Sequence, residues 1–117
     1  MITIYHNTRC RKSREGLDIL ENSGEEVNVR EYLKEPLKEE ELKSLLKKLN
    51  LTPVQLVRKS EKKWKENYKG KDLSDLELIK ILVEHPELIE RPIVETENAA
   101  VIGRPSSQIE NLIKDRN

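Results

Sequence analysis

The sequence predicts a single α/β domain in which a mixed four-stranded sheet is interrupted by an inserted helical lobe. The chain from Ile2 to Tyr32 follows a strand–helix–strand order, which is typical of a parallel βαβ unit. Two short apolar runs near the other end flank a two-residue turn, which is typical of a β-hairpin. Apolar residues recur at helical spacing between these segments. The length of 117 residues suits one domain with one core.

The first part of the chain predicts two parallel strands joined by a helix. The run from Ile2 to Tyr5 indicates the first strand, and Leu17 and Leu20 lie one turn apart on the helix that follows. Gly24 suits the left-handed position that ends a helix. The run from Val27 to Tyr32 alternates apolar and polar residues, which predicts the second strand.

The middle of the chain, between the second strand and the hairpin, is predicted to be the helical lobe. Its first helix is indicated by the spaced leucines Leu42, Leu45, Leu46 and Leu49. Thr52, Pro53 and Gln55 form a capping box that predicts a second helix running toward Arg58.

Two further helical features complete the lobe. Trp64 and Tyr68 lie one helical turn apart in a highly charged segment and are expected to attach it to the core. The run Ser74–Glu77 is a second capping box, and Pro86 ends the helix that it opens.

The last part of the chain predicts a hairpin and a helix. The runs 93–96 and 99–102 flank the turn Glu97–Asn98, and Ser107 is expected to cap the final helix. With the first two strands in parallel, this hairpin makes the sheet mixed.

Composition excludes several classes of function. Lys plus Arg and Asp plus Glu number 22 each, so no net charge attracts nucleic acid or an acidic membrane. No apolar run is long enough to span a bilayer, and the chain starts directly in a strand without a signal-peptide pattern. A single cysteine cannot form an internal disulfide. We therefore expect a cytoplasmic protein that binds neither nucleic acid nor membrane.

The single cysteine, Cys10, lies where the first strand gives way to the first helix. Unpaired backbone N–H groups and the helix dipole favour an anion there, and a thiolate is an anion. Basic residues flank it on both sides, and no acidic residue precedes Glu15. A lone cysteine is often only a small buried apolar residue. The basic flanks and the turn-to-helix position favour a reactive thiolate over that interpretation.

Three other kinds of thiol or metal site are excluded by spacing. The Cys-x5-Arg loop of low-molecular-weight phosphatases would need arginine where Gly16 stands. A zinc site would need three or four ligands, and Cys10, His6 and the distant His85 are too few. Ser13 occupies the position of a second cysteine in Cys-x-x-Cys, so no internal dithiol can form.

Four segments of the sequence, in order and with similar gaps, resemble the ArsC family of glutaredoxin-dependent arsenate reductases, which includes the Spx regulators. The segments are Tyr5-His6-Asn7 with Cys10-Arg11-Lys12-Ser13-Arg14; Arg58-Lys59; His85-Pro86 with Glu90-Arg91-Pro92-Ile93-Val94; and Gly103-Arg104-Pro105. The resemblance covers essentially the whole chain. Thr8 and the pair Arg11-Lys12 depart from the residues common in the family's reductases, which bears on the choice of oxyanion.

The resemblance implies a thioredoxin-like fold, with the core at residues 1–33 and 90–117 and the lobe at 34–89. It implies a nucleophile at Cys10. The implied oxyanion-binding residues are Arg58, Arg91 and Arg104, the residues that support the thiolate are His6, Asn7 and Ser13, and a cis peptide bond is implied before Pro92.

The implied activity is reduction of arsenate through a Cys10–arsenic adduct. Because the chain has no second cysteine, an external thiol must resolve that adduct, and the family implies glutathione as co-substrate and glutaredoxin as partner, with no bound cofactor and no metal. Two alternatives remain open. One is an Spx-like regulator that binds RNA polymerase without turnover, and the other is a glutathione-dependent thiol reductase that does not act on arsenate.

Overall fold

The computed structural model describes residues 1–116, and the chain divides into two units. The first unit combines Met1–Glu35 with the chain from Arg91 onward, and the second is Pro36–Glu90. The second unit thus begins at Pro36 rather than at residue 34 and ends at Glu90 rather than at residue 89. No helix among the described residues is long and apolar enough to cross a membrane.

Five helices, four strands and two 3-10 turns are found in residues 1–116. In chain order they are β1 (Ile2–Tyr5), α1 (Arg11–Asn22), β2 (Val27–Arg30), α2 (Glu39–Leu49), a 3-10 turn (Pro53–Leu56), α3 (Lys62–Asn67), α4 (Asp75–Glu84), a second 3-10 turn (Pro86–Leu88), β3 (Ile93–Glu95), β4 (Ala100–Ile102) and α5 (Ser107–Arg116).

The first unit is built on a four-stranded sheet with the order β2-β1-β3-β4. The β1 strand pairs in parallel with β2 and antiparallel with β3, and β3 and β4 form the antiparallel hairpin. The predicted mixed sheet is therefore confirmed. The β2 strand ends at Arg30 rather than at Tyr32, because the carbonyl of Glu31 accepts the N–H groups of Lys34 and Glu35 and turns the chain.

The core of the first unit is aliphatic and lies between the sheet and the helices α1 and α5. Its buried members are Ile2, Ile4, Leu20, Val94, Ile109 and Leu112. Strand residues supply one side and the apolar stripes of α1 and α5 supply the other, as expected for amphipathic helices on a sheet.

The second unit packs α2 against α4, with buried leucines from both helices and Ile79 from α4. The prediction of a helix that runs toward Arg58 is wrong, because only a 3-10 turn forms, at Pro53–Leu56. Val57 instead adopts an extended conformation and makes an antiparallel bridge with Ile89. The backbone N–H of Arg58 donates to the carbonyl of Leu88 at 2.7 Å, so strand-like pairing replaces helical hydrogen bonds.

Two helix N-termini were predicted, at Ser74 and at Ser107, and only the first has the predicted cap. Ser74 Oγ accepts the N–H of Glu77 at 3.2 Å, and the Glu77 carboxylate accepts the N–H of Ser74 at 3.1 Å, which confirms the capping box. The last helix begins with Ser107 as its first residue rather than as its cap. Trp64 is buried on α3, with its ring centroid 5.7 Å from that of Tyr68.

Gly103 is required by close packing under the arginine-bearing end of the hairpin. A Cβ at this position would lie 2.7 Å from Ile109 Cδ1 and 3.0 Å from the ring of Pro92. Gly16 on α1 makes a similar approach, at 2.9 Å from Ile109 Cδ1 and 3.2 Å from Pro92 Cγ. The two glycines thus allow α1 and the end of β4 to close on Pro92.

Replacing Gly103 with alanine should destabilise the fold by about 1–3 kcal/mol, because the new methyl group overpacks a buried site. Urea unfolding measures the change. The Ile109→Val variant removes the Cδ1 atom that the new methyl group would meet. The cost of Gly103→Ala should therefore be smaller in the Ile109→Val background, and equal costs in the two backgrounds would contradict this packing account.

Candidate functional site

Cys10 is the N-cap residue of α1, with an extended backbone (φ −91°, ψ 120°) and its carbonyl accepting the first helical N–H, from Arg14. Asn7 shapes the preceding turn. Its carbonyl accepts the N–H of Cys10 and its side-chain oxygen accepts the N–H of Arg9, each at 3.0 Å. The Arg14 guanidinium donates to the carbonyl of Thr8 at 3.0 Å and holds the turn against the helix.

The Cys10 sulfur is nearly buried, at 8% exposure for the residue, and is surrounded by donors. Arg104 Nη2 lies 3.7 Å from Sγ, and the Arg91 side chain donates a second hydrogen bond to the sulfur. The backbone N–H groups of Lys12 and Ser13 at the start of α1 also point to it.

Opposing effects set the pKa of the Cys10 thiol. Burial, the largest effect, raises the pKa because it penalises the thiolate. The hydrogen bond and charge of Arg91, with the N–H groups of Ser13 and Lys12, lower it by more in total. The net result is a pKa below the ordinary thiol value of 9.0, as required of a nucleophilic cysteine.

Arg91 and Arg104 reach the sulfur because the hairpin brings them together. Arg91 comes just before β3 and Arg104 just after β4, and the register pairs Ile93 with Ile102, so both arginines lie at one end of the sheet. The carbonyl of Arg91 also accepts a hydrogen bond from Arg104 Nε at 2.7 Å. Arg91 is 8% exposed, so one guanidinium is buried beside the thiol while the other is exposed.

His6 and Ser13 form a buried pair behind the cysteine. His6 Nδ1 lies 2.7 Å from Ser13 Oγ, and the N–H of Asn7 donates to the same hydroxyl at 3.0 Å. Burial lowers the pKa of His6, although the nearby Glu31 partly opposes this, so the neutral imidazole is favoured. The two side chains contact each other, and their support of the thiolate stays a prediction.

The remaining predicted site residues have mixed outcomes. The peptide bond before Pro92 is cis, as the resemblance implies, and the Arg104–Pro105 bond is cis as well, which the sequence did not predict. Arg58 belongs to the second unit, where its Nη1 donates to Glu61 Oε1 at 2.6 Å. Its predicted part in oxyanion binding therefore stays a prediction.

Sequence reasoning missed Glu31, whose charge acts on His6 from the turn after β2. A polar residue at the carboxyl end of a strand next to β1 was the available signal. Within residues 1–116, no group of three or more histidine, cysteine, aspartate or glutamate side chains is placed to hold a metal ion. The site can hold an anion beside a thiolate, which suits nucleophilic attack on an oxyanion.

Comparison with known proteins places this chain in a family. The model of the ArsC family matches residues 5–112. The chain belongs to the ArsC family. An arsenate reductase of Haemophilus influenzae is 41% identical over 114 residues, with 96% of this chain and 98% of that protein covered. The uncharacterized protein YfgD of Escherichia coli is also 41% identical over 114 residues, with 96% of each chain covered.

A solved structure supports the same assignment. The structure of an arsenate reductase from Vibrio cholerae matches this ArsC-family chain with a TM-score of 0.89 and 44% identity, covering 94% of this chain and 95% of that one. The fold is therefore thioredoxin-like, as the sequence resemblance implied.

Replacing Arg91 with glutamine should raise the pKa of Cys10, because the thiolate loses a charged hydrogen-bond donor. At neutral pH the thiol would then be less ionised, and alkylation by iodoacetamide should slow. The measurement is the rate of alkylation against pH, whose midpoint should move upward.

The matched control for this prediction is Arg9→Gln, which removes an exposed charge one residue from Cys10. Its midpoint should move much less than that of Arg91→Gln. Equal shifts in the two variants would show that general positive charge, and not the Arg91 hydrogen bond, lowers the thiol pKa.

Proposed function

We propose that this protein reduces arsenate to arsenite, with Cys10 as the nucleophile. The observation that carries the proposal is a single thiol of lowered pKa with two arginine side chains bonded to its sulfur, from Arg91 and Arg104. Arsenate is a tetrahedral dianion at neutral pH, and the planar guanidinium fork binds such oxygens well. The names of the similar arsenate reductases support the same activity.

The first step is attack of the Cys10 thiolate on arsenic. A sulfur–arsenic bond forms and one arsenic–oxygen bond breaks, with the oxygen leaving as hydroxide or, after protonation, as water. The buried guanidinium of Arg91 offsets the negative charge that builds up on the remaining oxygens. Arsenic is still pentavalent in the resulting adduct.

Reduction then needs two electrons that this chain cannot supply alone, since Cys10 is its only cysteine. We propose that glutathione and glutaredoxin supply them as two external thiols. Overall, arsenic acid and two thiols give arsenous acid, one disulfide and one water, and Cys10 returns to the thiolate. No bound cofactor or metal takes part in this scheme. Such chemistry needs a reducing compartment, which favours the cytoplasm.

Cys10→Ser should abolish arsenate-dependent turnover while leaving the fold intact, because serine is nearly isosteric and a poor nucleophile. The assay contains arsenate, glutathione, glutaredoxin, glutathione reductase and NADPH, and it follows NADPH oxidation. Circular dichroism and urea unfolding of the variant provide the folding control.

Two outcomes of this assay would contradict the proposal. Turnover in the Cys10→Ser variant would remove the cysteine from the mechanism. Absence of turnover in the unmodified protein would favour one of the two alternatives, namely a thiol reductase if Cys10 reduces glutathione mixed disulfides, or a regulator if the protein binds the RNA polymerase α subunit.

Arg91→Ala and Arg104→Ala should raise the KM for arsenate by about 10- to 150-fold, since a charge-assisted hydrogen bond contributes about 1.5–3 kcal/mol. Arg58→Ala is expected to act in the same direction, on the ground of the family resemblance. The matched control is Arg11→Ala, because the side chain of Arg11 is 85% exposed. An unchanged KM in any of the three variants would remove that arginine from the oxyanion site.

A further inference from the structure

A cavity of about 220 Å³ lies against the loop that presents Cys10, and the proposed mechanism gives it no role. One wall is the loop itself, residues 6–9. The other wall is the turn after β2, with Glu31, Leu33 and Lys34. The carbonyl of Glu31 accepts the N–H groups of Lys34 and Glu35, and these two hydrogen bonds fix the backbone of the turn.

A buried polar ring contributes to this cavity. His6 is only 4% exposed, and its Nδ1 is held by Ser13. His6 is one of the residues that line the cavity.

The remaining lining groups carry both signs of charge. The Lys34 ammonium and the Glu31 carboxylate are 3.5 Å apart, and Arg9 adds an exposed guanidinium from the loop wall. Leu33 is 42% exposed and supplies an apolar surface beside them. A cation site, an anion site and an apolar strip next to each other match an α-amino-acid group, which has an ammonium, a carboxylate and a short aliphatic chain.

The distance to the thiol fits a small peptide. Arg9, which lines the cavity, is directly joined to Cys10, and consecutive Cα atoms are about 3.8 Å apart. A three-residue thiol of the γ-glutamyl type spans about 10 Å when extended. The loop wall of the cavity thus ends one residue from the nucleophile, a separation shorter than such a peptide.

We propose that this cavity binds the α-amino-acid end of the thiol co-substrate, with Glu31 on its ammonium and Arg9 and Lys34 on its carboxylate. The inference rests on the proposed function in that it assigns the cavity to the external thiol of that reaction. It makes Glu31 and Lys34 specificity-determining residues for a γ-glutamyl thiol over a thiol without that group.

The experiment titrates the resting protein with S-methylglutathione, which cannot react, and follows the backbone amide resonances by NMR without arsenate. Resonances of residues 6–9 and 31–34 should shift. Glu31→Gln and Lys34→Gln should each weaken binding by about two- to fivefold, as for one partly exposed ion pair. The controls are Glu26→Gln and Lys114→Gln, which remove exposed charges of the same signs in the same unit, away from the cavity.

A double-mutant cycle tests the pairing of groups. A second ligand is S-methylglutathione without the α-amino group. Glu31→Gln should leave the affinity for this ligand unchanged, because the ammonium that Glu31 binds is missing. An equal loss of affinity for both ligands would overturn the assignment of Glu31, and shifts confined to other residues would overturn the cavity itself.

The NMR experiment separates this inference from the proposed function. Specific binding in the cavity with no arsenate turnover would support the cavity assignment and overturn arsenate reduction. Arsenate turnover whose KM for glutathione is unchanged by Glu31→Gln and Lys34→Gln would overturn the cavity assignment alone. Free glutamate binding more tightly than S-methylglutathione would also overturn it, since the cavity would then serve a free amino acid.

Discussion

The hydrogen bonds from Arg91 and Arg104 to the Cys10 sulfur are the interactions on which the site depends. A thiol that is 8% exposed would ordinarily stay protonated, because burial penalises the charged form. Buried positive charge and the N–H groups of the first helical turn outweigh that penalty and lower the pKa of the thiol below its ordinary value. In the proposed reaction the same guanidiniums bind the oxyanion, so the groups that lower the pKa of the nucleophile would also attract its substrate.

The sheet makes this arrangement possible with little help from local sequence. Antiparallel pairing of β3 and β4 places the residue before one strand beside the residue after the other. The pairing of β1 with β3 places the loop from β1 to Cys10 beside the start of β3. The strand order therefore brings three segments that are distant in the chain to one end of the sheet.

Much of this was predictable from sequence, and the exceptions have physical causes. The position of Cys10 followed from a strand, a turn and a helix, and the meeting of Arg91 with Arg104 was implied by the family resemblance. The helix expected after Thr52 failed because Val57 pairs with Ile89, a contact between residues far apart in the chain. Long-range pairing of this kind overrides a local capping signal.

Two other features could not be predicted from the sequence, because they also depend on the folded structure. The ion pair between Arg58 and Glu61 depends on side-chain conformations, and residue types alone do not fix those. The charge of Glu31 near His6 depends on where the turn after β2 folds. Spacing identifies candidate residues, but only the fold decides which groups face each other.

The close contact of Gly103 with Pro92 and Ile109 has a consequence for how this protein tolerates change. Arg104 follows Gly103 in the chain, and Arg91 precedes Pro92. Both arginines are therefore next to residues of the same close contact. Enlarging Ile109, a wholly buried residue of α5, would press on the peptide segments that carry them. Substitutions in the aliphatic interior can therefore alter the positions of the arginines near Cys10. Screens for lost activity should recover such substitutions as well as changes in the site itself.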